Sequence, residues 1–253
     1  GDSKDKVTVS LADLNIPRRP PVLCPGCGHR PLYKVLRDLK VAVTGDIGCY
    51  TLGALKPLDA MDTCMDMGAA VGILEGLDLC EPNLKGKVVG TIGDSTFYHS
   101  GITGLIDMVV NGSTATLLVL DNSITAMTGA QPHPGTGKTI RGQDAPRLSV
   151  AEVCRGCGVK RVVEVDPYDM ANLERVIQEE LAAPEVSVIV AQAPCVLNFR
   201  IRFGPAVEVD VETCNRCGAC IRVGCMALRE KGGYPEVNVD LCNGCGLCVQ
   251  VCE

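Results

Sequence analysis

KVVGTIGDSTFYHSGITGLIDMVVNGSTATLLVLDN, residues 87–122, holds two unbroken apolar strands, KVVGTIGD (87–94) and ATLLVLDN (115–122), around one helical run, GITGLIDMVVN (101–111). A strand with one wet face alternates apolar and polar residues, so strands that are apolar throughout are buried on both faces. Strands of that kind joined by a helix form the parallel crossover unit. Upstream, KVAVTGD (40–46) reads as another strand, and MGAAVGILEGL (67–77) as a helix whose small residues permit close packing. Downstream, Ser149 and Glu152 make a capping box that opens the helix SVAEVCRG. RVVEV (161–165), the helix DMANLERVIQEEL (169–181) and VSVIVAQAP (186–194) complete the series. The expected fold is α/β, a doubly wound, mostly parallel sheet with helices on both faces. Ligands of such sheets sit beyond the carboxyl ends of the strands. Gly48-Cys49, Gly93-Asp94, Asp121-Asn122 and Pro194-Cys195 all fall at such ends.

Near residue 205 the alternation stops and a Cys/Gly-rich segment begins. It carries CNRCGACIRVGC, with Cys214, Cys217, Cys220 and Cys225, and CNGCGLCVQVC, with Cys242, Cys245, Cys248 and Cys252. In two-cluster ferredoxins three cysteines at C-x2-C-x2-C hold three corners of a 4Fe–4S cube, and the distant cysteine of the other run closes it. One cluster is therefore expected on Cys214, Cys217, Cys220 and Cys252, the other on Cys242, Cys245, Cys248 and Cys225. Two departures are visible: four residues rather than three precede Cys225, and Met226 stands where proline is usual. Zinc knots use two C-x2-C pairs and leave the third and fourth cysteines of each run without work. The expected division is a polar linker over 1–20, an α/β domain over 21–204, and a small ferredoxin-like α+β domain over 205–253.

The 253 residues are 46% hydrophobic but only 3% aromatic, with a net charge of −6 and no basic stretch. A core of useful size is affordable, whereas a nucleic-acid surface is not indicated. No apolar run approaches the length of a membrane span, and no signal-peptide pattern is present. Sixteen cysteines at metal-ligand spacing point to a reducing, cytoplasmic setting, in an organism living with little oxygen.

Asp94 closes one strand and Asn122 the next, 28 positions on. Their hard oxygens, with a backbone carbonyl just after, suit an octahedral Mg²⁺ bridging a diphosphate. Ser95 and Thr96 open the following turn, where N–H groups can approach phosphate oxygens. The pattern matches the GDG-x(about 28)-N signature of thiamin diphosphate enzymes, with Ser95 in place of the second glycine.

Together with CPGCGH (24–29), GDIGCYTLG (45–53), GDSTFYHSG (93–101), LDNSITAMTGAQPHPGTG (120–137) and APCVLNF (193–199), these motifs resemble the 2-oxoacid:ferredoxin oxidoreductases. Among them the indolepyruvate branch joins a thiamin domain and a ferredoxin domain in one polypeptide. The resemblance implies Mg²⁺ on Asp94, Asn122 and the backbone oxygen of Ile124. It implies thiamin diphosphate contacts from Ile47, Gly48, Cys49 and Tyr50, from Gly93, Ser95 and Thr96, and from Ala126, Met127 and Thr128. Met65 falls where many relatives place a histidine over the cofactor.

Cys24 and Cys27 form a C-x2-C pair, while Cys49 and Cys195 stand alone at strand ends. Singly, each reads as a small buried hydrophobe. The resemblance implies that the four ligate a third 4Fe–4S cluster close to the thiamin. Cys64, Cys80, Cys154 and Cys157, in or beside helices, read as packing. His29 adjoins the cluster turn; His99 and His133 flank the cofactor loops and are the candidate acid–base groups.

The implied activity is thiamin-dependent oxidative decarboxylation of an arylpyruvate to acyl-coenzyme A and CO₂, with electrons passing through the clusters to an external ferredoxin. The same chemistry on pyruvate, 2-oxoglutarate, a branched-chain oxoacid or phenylglyoxylate is the alternative, and a non-catalytic electron carrier is a third reading. The family's pyrimidine-binding thiamin domain is not found in these residues. The implied partners are that domain or subunit, a gamma-type subunit, coenzyme A and the 2-oxoacid.

Overall fold

A computed structural model describes residues 20–252; the linker expected over 1–20 lies outside the described residues, Pro20 excepted. Six parallel strands form one sheet: β1 (Ala42–Gly45), β2 (Thr63–Cys64), β3 (Val88–Gly93), β4 (Thr116–Asp121), β5 (Arg161–Val165) and β6 (Ser187–Gln192), in the order β2-β1-β3-β4-β6-β5. Strands β3 and β4 are buried on both faces, as their unbroken apolar runs require. Alternate residues of β4 serve different layers. Leu118 and Leu120 pack beneath α1 (His29–Leu39) and α6 (Met170–Leu181). Leu117 and Val119 pack beneath α2 (Ala69–Cys80), α4 (Ile102–Val110) and α5 (Val150–Gly156). Each fully buried Leu or Val contributes about 1.5–3 kcal/mol, so β4 is the spine of both layers.

Helix α1 is absent from the sequence expectation. Gly28 and Pro31 suggest a turn, but Pro31 occupies the first turn of the helix, where its missing N–H is not needed. Leu32, Tyr33, Val35 and Leu36 then bury one face, and Lys40 closes the helix in a left-handed conformation (φ 54°). Between β3 and α4 a short helix, α3 (Asp94–Thr96), runs into a π turn at Phe97–Gly101. Ser149 caps α5, its hydroxyl accepting from Glu152 N–H at 3.3 Å, which is the serine half of the expected box. Among the described residues no helix is long and apolar enough to cross a membrane.

The cysteine-rich segment contains α7 (Ala219–Arg222), α8 (Leu247–Gln250) and an antiparallel hairpin, β7 (Leu228–Lys231) with β8 (Tyr234–Val237). Gly232 and Gly233, both with positive φ, make its two-residue turn. Val223 and Leu247 enter the same core as α1, so the small region packs directly on the sheet domain.

Candidate active site

Strands β1, β3, β4 and β6 are neighbours, and their carboxyl ends form one edge. The segments leaving the first three line a single cavity: Ile47–Tyr50, Gly93–Thr96, and Asn122 with 124–128. Asp46, fully buried at the end of β1, accepts from Ile47 N–H at 2.7 Å and from Gly68 N–H at 2.6 Å. Thr51 donates to the Asp46 carbonyl and accepts from Gly48 N–H. The wall formed by 46–51 is therefore braced from behind. At Gly48 and Gly93 a Cβ would run into the Tyr50 ring and displace it.

Asp94 is buried and accepts from Ser95 N–H at 2.7 Å and Ser123 N–H at 2.8 Å. Asn122 Oδ1 accepts from Ile124 N–H at 3.1 Å, and Ser123 takes a left-handed φ of 60°. This turn carries Asn122 and Ile124 into the same cavity wall as Asp94. Burial, and then the neighbouring Asp94 carboxylate, raise the Asp121 pKa. The Asp94 carboxylate, the Asn122 amide and the Ile124 backbone offer hard oxygens from one cavity wall, so Mg²⁺ fits this donor set.

Of the two candidate histidines only His133 reaches this motif. Its Nδ1 accepts from Gly135 N–H at 3.1 Å, so the ring hydrogen belongs on Nε2, which lies 3.1 Å from Asp94 Oδ2 but off the line of a good hydrogen bond. His99 is exposed on the π turn and does not line the cavity. Met65 is likewise 73% exposed and outside the cavity wall; Met67 stands in that wall instead. Thr125, not anticipated, lines the cavity and donates to Ser95 Oγ at 2.8 Å.

Behind this cavity a second recess is lined by Cys24, Cys27, Cys49 and Cys195, with His29, Leu52, Asn122 and Ala126 among its other walls. Cys27 N–H bonds back to the Cys24 carbonyl at 3.1 Å, and Cys195 N–H to the Asn122 carbonyl at 2.9 Å. Burial pushes Cys27 up to about 12. Burial also raises Cys24 and Cys49, with the Cys195 thiol as the next cause. Free thiolates are thus disfavoured, a balance that bound iron would reverse. Burial lowers the His29 pKa to about 4, leaving a neutral ring whose Nε2 lies 3.4 Å from Asn122 Nδ2.

Two further recesses lie in the cysteine-rich region. Cys225, Cys242, Cys245 and Cys248 line one, together with Pro25, Gly26 and Arg30. Cys214, Cys217, Cys220 and Cys252 line the other, with Cys248 on the shared side. Among the described residues no three Cys, His, Asp or Glu side chains close on a point as around a single ion. Each set of four thiols instead lines its own recess, a donor type that suits a 4Fe–4S cube.

The turns of two recesses touch. Asn243 Nδ2 donates to the Pro25 carbonyl at 3.3 Å, and Tyr168 OH to the Gly26 carbonyl at 2.6 Å. Gly26 has φ +70°, and a Cβ there would overlap the Asn243 carboxamide. Gly26→Ala is expected to cost at least 1–2 kcal/mol from backbone strain alone and to prise the turns apart. Thermal unfolding should shift down by about 2 °C or more, and chelator-accessible iron should rise. Unchanged melting and iron retention would show that the contact is dispensable.

Of the remaining thiols, two meet the packing expectation and two do not. Cys154, within α5, is buried in the core, but Cys64, in edge strand β2, and Cys80, at the end of α2, are exposed. Cys157 is half-buried against the same core.

Residues 46–191 match the model of the thiamine pyrophosphate enzymes' C-terminal TPP-binding domain, and residues 235–253 a 4Fe–4S binding domain. The chain is 42% identical over 222 residues to the indolepyruvate oxidoreductase subunit IorA of Archaeoglobus fulgidus, covering 84% of this chain and 35% of that subunit. It is 40% identical to the Pyrococcus horikoshii subunit of the same name, covering 84% of this chain and 36% of that one. It thus spans about a third of the length of the curated relatives it matches. In fold it is similar to a 2-oxoglutarate:ferredoxin oxidoreductase from Magnetococcus marinus, with a TM-score of 0.60 at 20% identity over 90% of this chain and 82% of that one. With its TPP-binding domain built on the edge formed by β1, β3 and β4, the chain belongs to the thiamine pyrophosphate enzymes.

Proposed function

We propose that this chain is the thiamin-diphosphate- and iron–sulfur-bearing part of a 2-oxoacid:ferredoxin oxidoreductase acting on an arylpyruvate of the indolepyruvate type. The observation that carries the reading is a shared wall. Cys49, Asn122 and Ala126 line both the cavity beside Asp94 and the recess of four thiols. When bound, thiamin diphosphate supplies an electron sink for carbon–carbon cleavage, and 4Fe–4S clusters accept electrons singly.

The chain's own residues have separable duties in this reading. Asp94, Asn122 and the Ile124 carbonyl would hold Mg²⁺, and the Ser95 and Thr96 N–H groups would meet the diphosphate. His133, its ring fixed by Gly135 N–H, stands against the Asp94 carboxylate without a hydrogen bond to it and is a wall of the metal site rather than a handler of a substrate proton. Asp46 and Thr51 keep 47–50 in place. Cys24, Cys27, Cys49 and Cys195 would hold the cluster nearest the thiamin. The set Cys225, Cys242, Cys245 and Cys248 comes next, because its recess includes Pro25 and Gly26. The set Cys214, Cys217, Cys220 and Cys252 is outermost. Three clusters, the Mg²⁺ site and the division near residue 205 are parts of the same proposal.

Met67 and Met127 stand in the cavity wall yet are 46% and 51% exposed. Apolar surface at a cofactor site supports a covering partner, here the pyrimidine-binding domain or subunit, with a gamma-type subunit, coenzyme A and an external ferredoxin completing a cytoplasmic enzyme. The test is anaerobic turnover by the chain with its co-purifying subunits, on a panel of 2-oxoacids with coenzyme A and a viologen dye. Indolepyruvate and phenylpyruvate should be the fastest substrates. Faster turnover of pyruvate or 2-oxoglutarate would overturn the arylpyruvate assignment, and absence of bound thiamin diphosphate would reduce the chain to an electron carrier.

A further inference from the structure

Arg30 lies where a cation is least expected. It occupies the first turn of α1, where the helix dipole disfavours positive charge, and it is only 2% exposed. Its guanidinium spans two regions of the chain. Nη2 donates to the Leu23 carbonyl at 2.5 Å and the Cys24 carbonyl at 3.2 Å. Nη1 donates to the Val223 carbonyl at 3.4 Å and to the Gly224 carbonyl. Two of these acceptors belong to or adjoin thiols of different recesses, Cys24 in one and Cys225 in the other. Arg30 itself lines the recess of Cys225, Cys242, Cys245 and Cys248. Among the described residues its buried Nε has no hydrogen-bond partner. Four neutral carbonyls neither neutralise a buried charge nor use its fifth donor, and among the described residues no carboxylate bonds to the guanidinium.

We infer that Arg30 is a positioning residue shared by two neighbouring iron–sulfur clusters, fixing their spacing through its carbonyl clamp and raising the reduction potential of both through its charge. This rests on the cluster assignment proposed above. A cube of iron and sulfide held by four thiolates is anionic and gains a further negative charge on reduction. A fixed cation therefore favours the reduced form, and an N–H aimed at sulfur acts in the same direction. Arg30 lines one recess and donates to the Cys24 carbonyl at the other, so its charge lies beside both. The set Cys214, Cys217, Cys220 and Cys252 does not include Arg30 in its recess, and serves as the internal reference.

The test is an EPR-monitored redox titration of the iron-loaded chain in its complex, comparing wild type with Arg30→Met, Arg30→Gln and Arg30→Lys. Cys195→Ser and Cys217→Ser, each removing one cluster, assign the signals. At fixed potential R30M and R30Q should lower the reduced-to-oxidised ratio of the two flanking clusters at least tenfold, about 59 mV for a one-electron couple. The third cluster should not move, and R30K should recover most of the shift. Unshifted potentials in iron-replete R30M, an equal shift of all three clusters, or R30K behaving as R30M would each overturn the inference. If both neutral variants lose iron while R30K keeps it at wild-type potentials, the charge is still what matters; loss in all three would make Arg30 a mere staple. A wild-type chain that binds no iron would sink the cluster assignment instead, a separate failure.

Discussion

Asp94→Asn is expected to lower thiamin diphosphate affinity in the presence of Mg²⁺ by on the order of 100-fold or more. Even residues that only orient a metal ligand cost about 10–100-fold when changed, and Asp94 is placed to be a ligand itself. Ser95 N–H bonds to Oδ1 and Ser123 N–H to Oδ2, so the single oxygen of the amide keeps one of these bonds and its NH2 replaces the acceptor of the other. What disappears is the carboxylate charge beside Asp121. Two further effects follow from the geometry. Asp121 loses a neighbouring anion that helps hold its pKa up, and His133 Nε2 loses its acidic neighbour. Equilibrium dialysis of the cofactor at several Mg²⁺ concentrations reads the affinity directly, and a parallel thermal scan checks the fold. Affinity within about threefold of wild type, far short of the ligand cost, would remove Asp94 from the metal site.

Cys195→Ser should lower iron from about twelve to about eight atoms per chain, the loss of one cube of three. Thiamin diphosphate should stay bound, because Cys195 lines the thiol recess but not the cavity beside Asp94. Dye reduction from the 2-oxoacid should fall to background, as the nearest acceptor is missing. Cys154→Ser is the matched control. That thiol, on the buried face of α5, sits in the apolar core, and burial pushes it up to about 12. A hydroxyl there costs some stability but leaves iron unchanged. Full iron content in the Cys195 variant would return the four thiols to ordinary packing residues.

The sheet was legible because double-sided burial leaves its mark directly in composition. The runs at 87–94 and 115–122 have no polar alternation, and β3 and β4, like β6, are buried on both faces. The thiol sets were legible because ligand spacing is local within each run, and strand ends converge once the sheet is parallel. What escaped depends on side-chain direction or on context outside any short window. Proline in a first turn hid α1. Met65 and Met67 are two positions apart in an irregular stretch, so no period decides which one faces the cavity. His99 sits between Phe97 and Gly101, both buried on the π turn, which turns the imidazole outward although the motif around it faces inward. Arg30 gave no signal, since its partners are carbonyls as far away as Gly224.

The crossed thiols of the small region have a consequence for how it matures. Cys252 completes the wall begun by Cys214, and Cys225 that begun by Cys242. Neither half is a self-sufficient vessel, so partial filling gives little and the two compartments should load together, in one cooperative step. Iron limitation would then yield a mixture of fully furnished and bare molecules, rather than a population of half-wired ones.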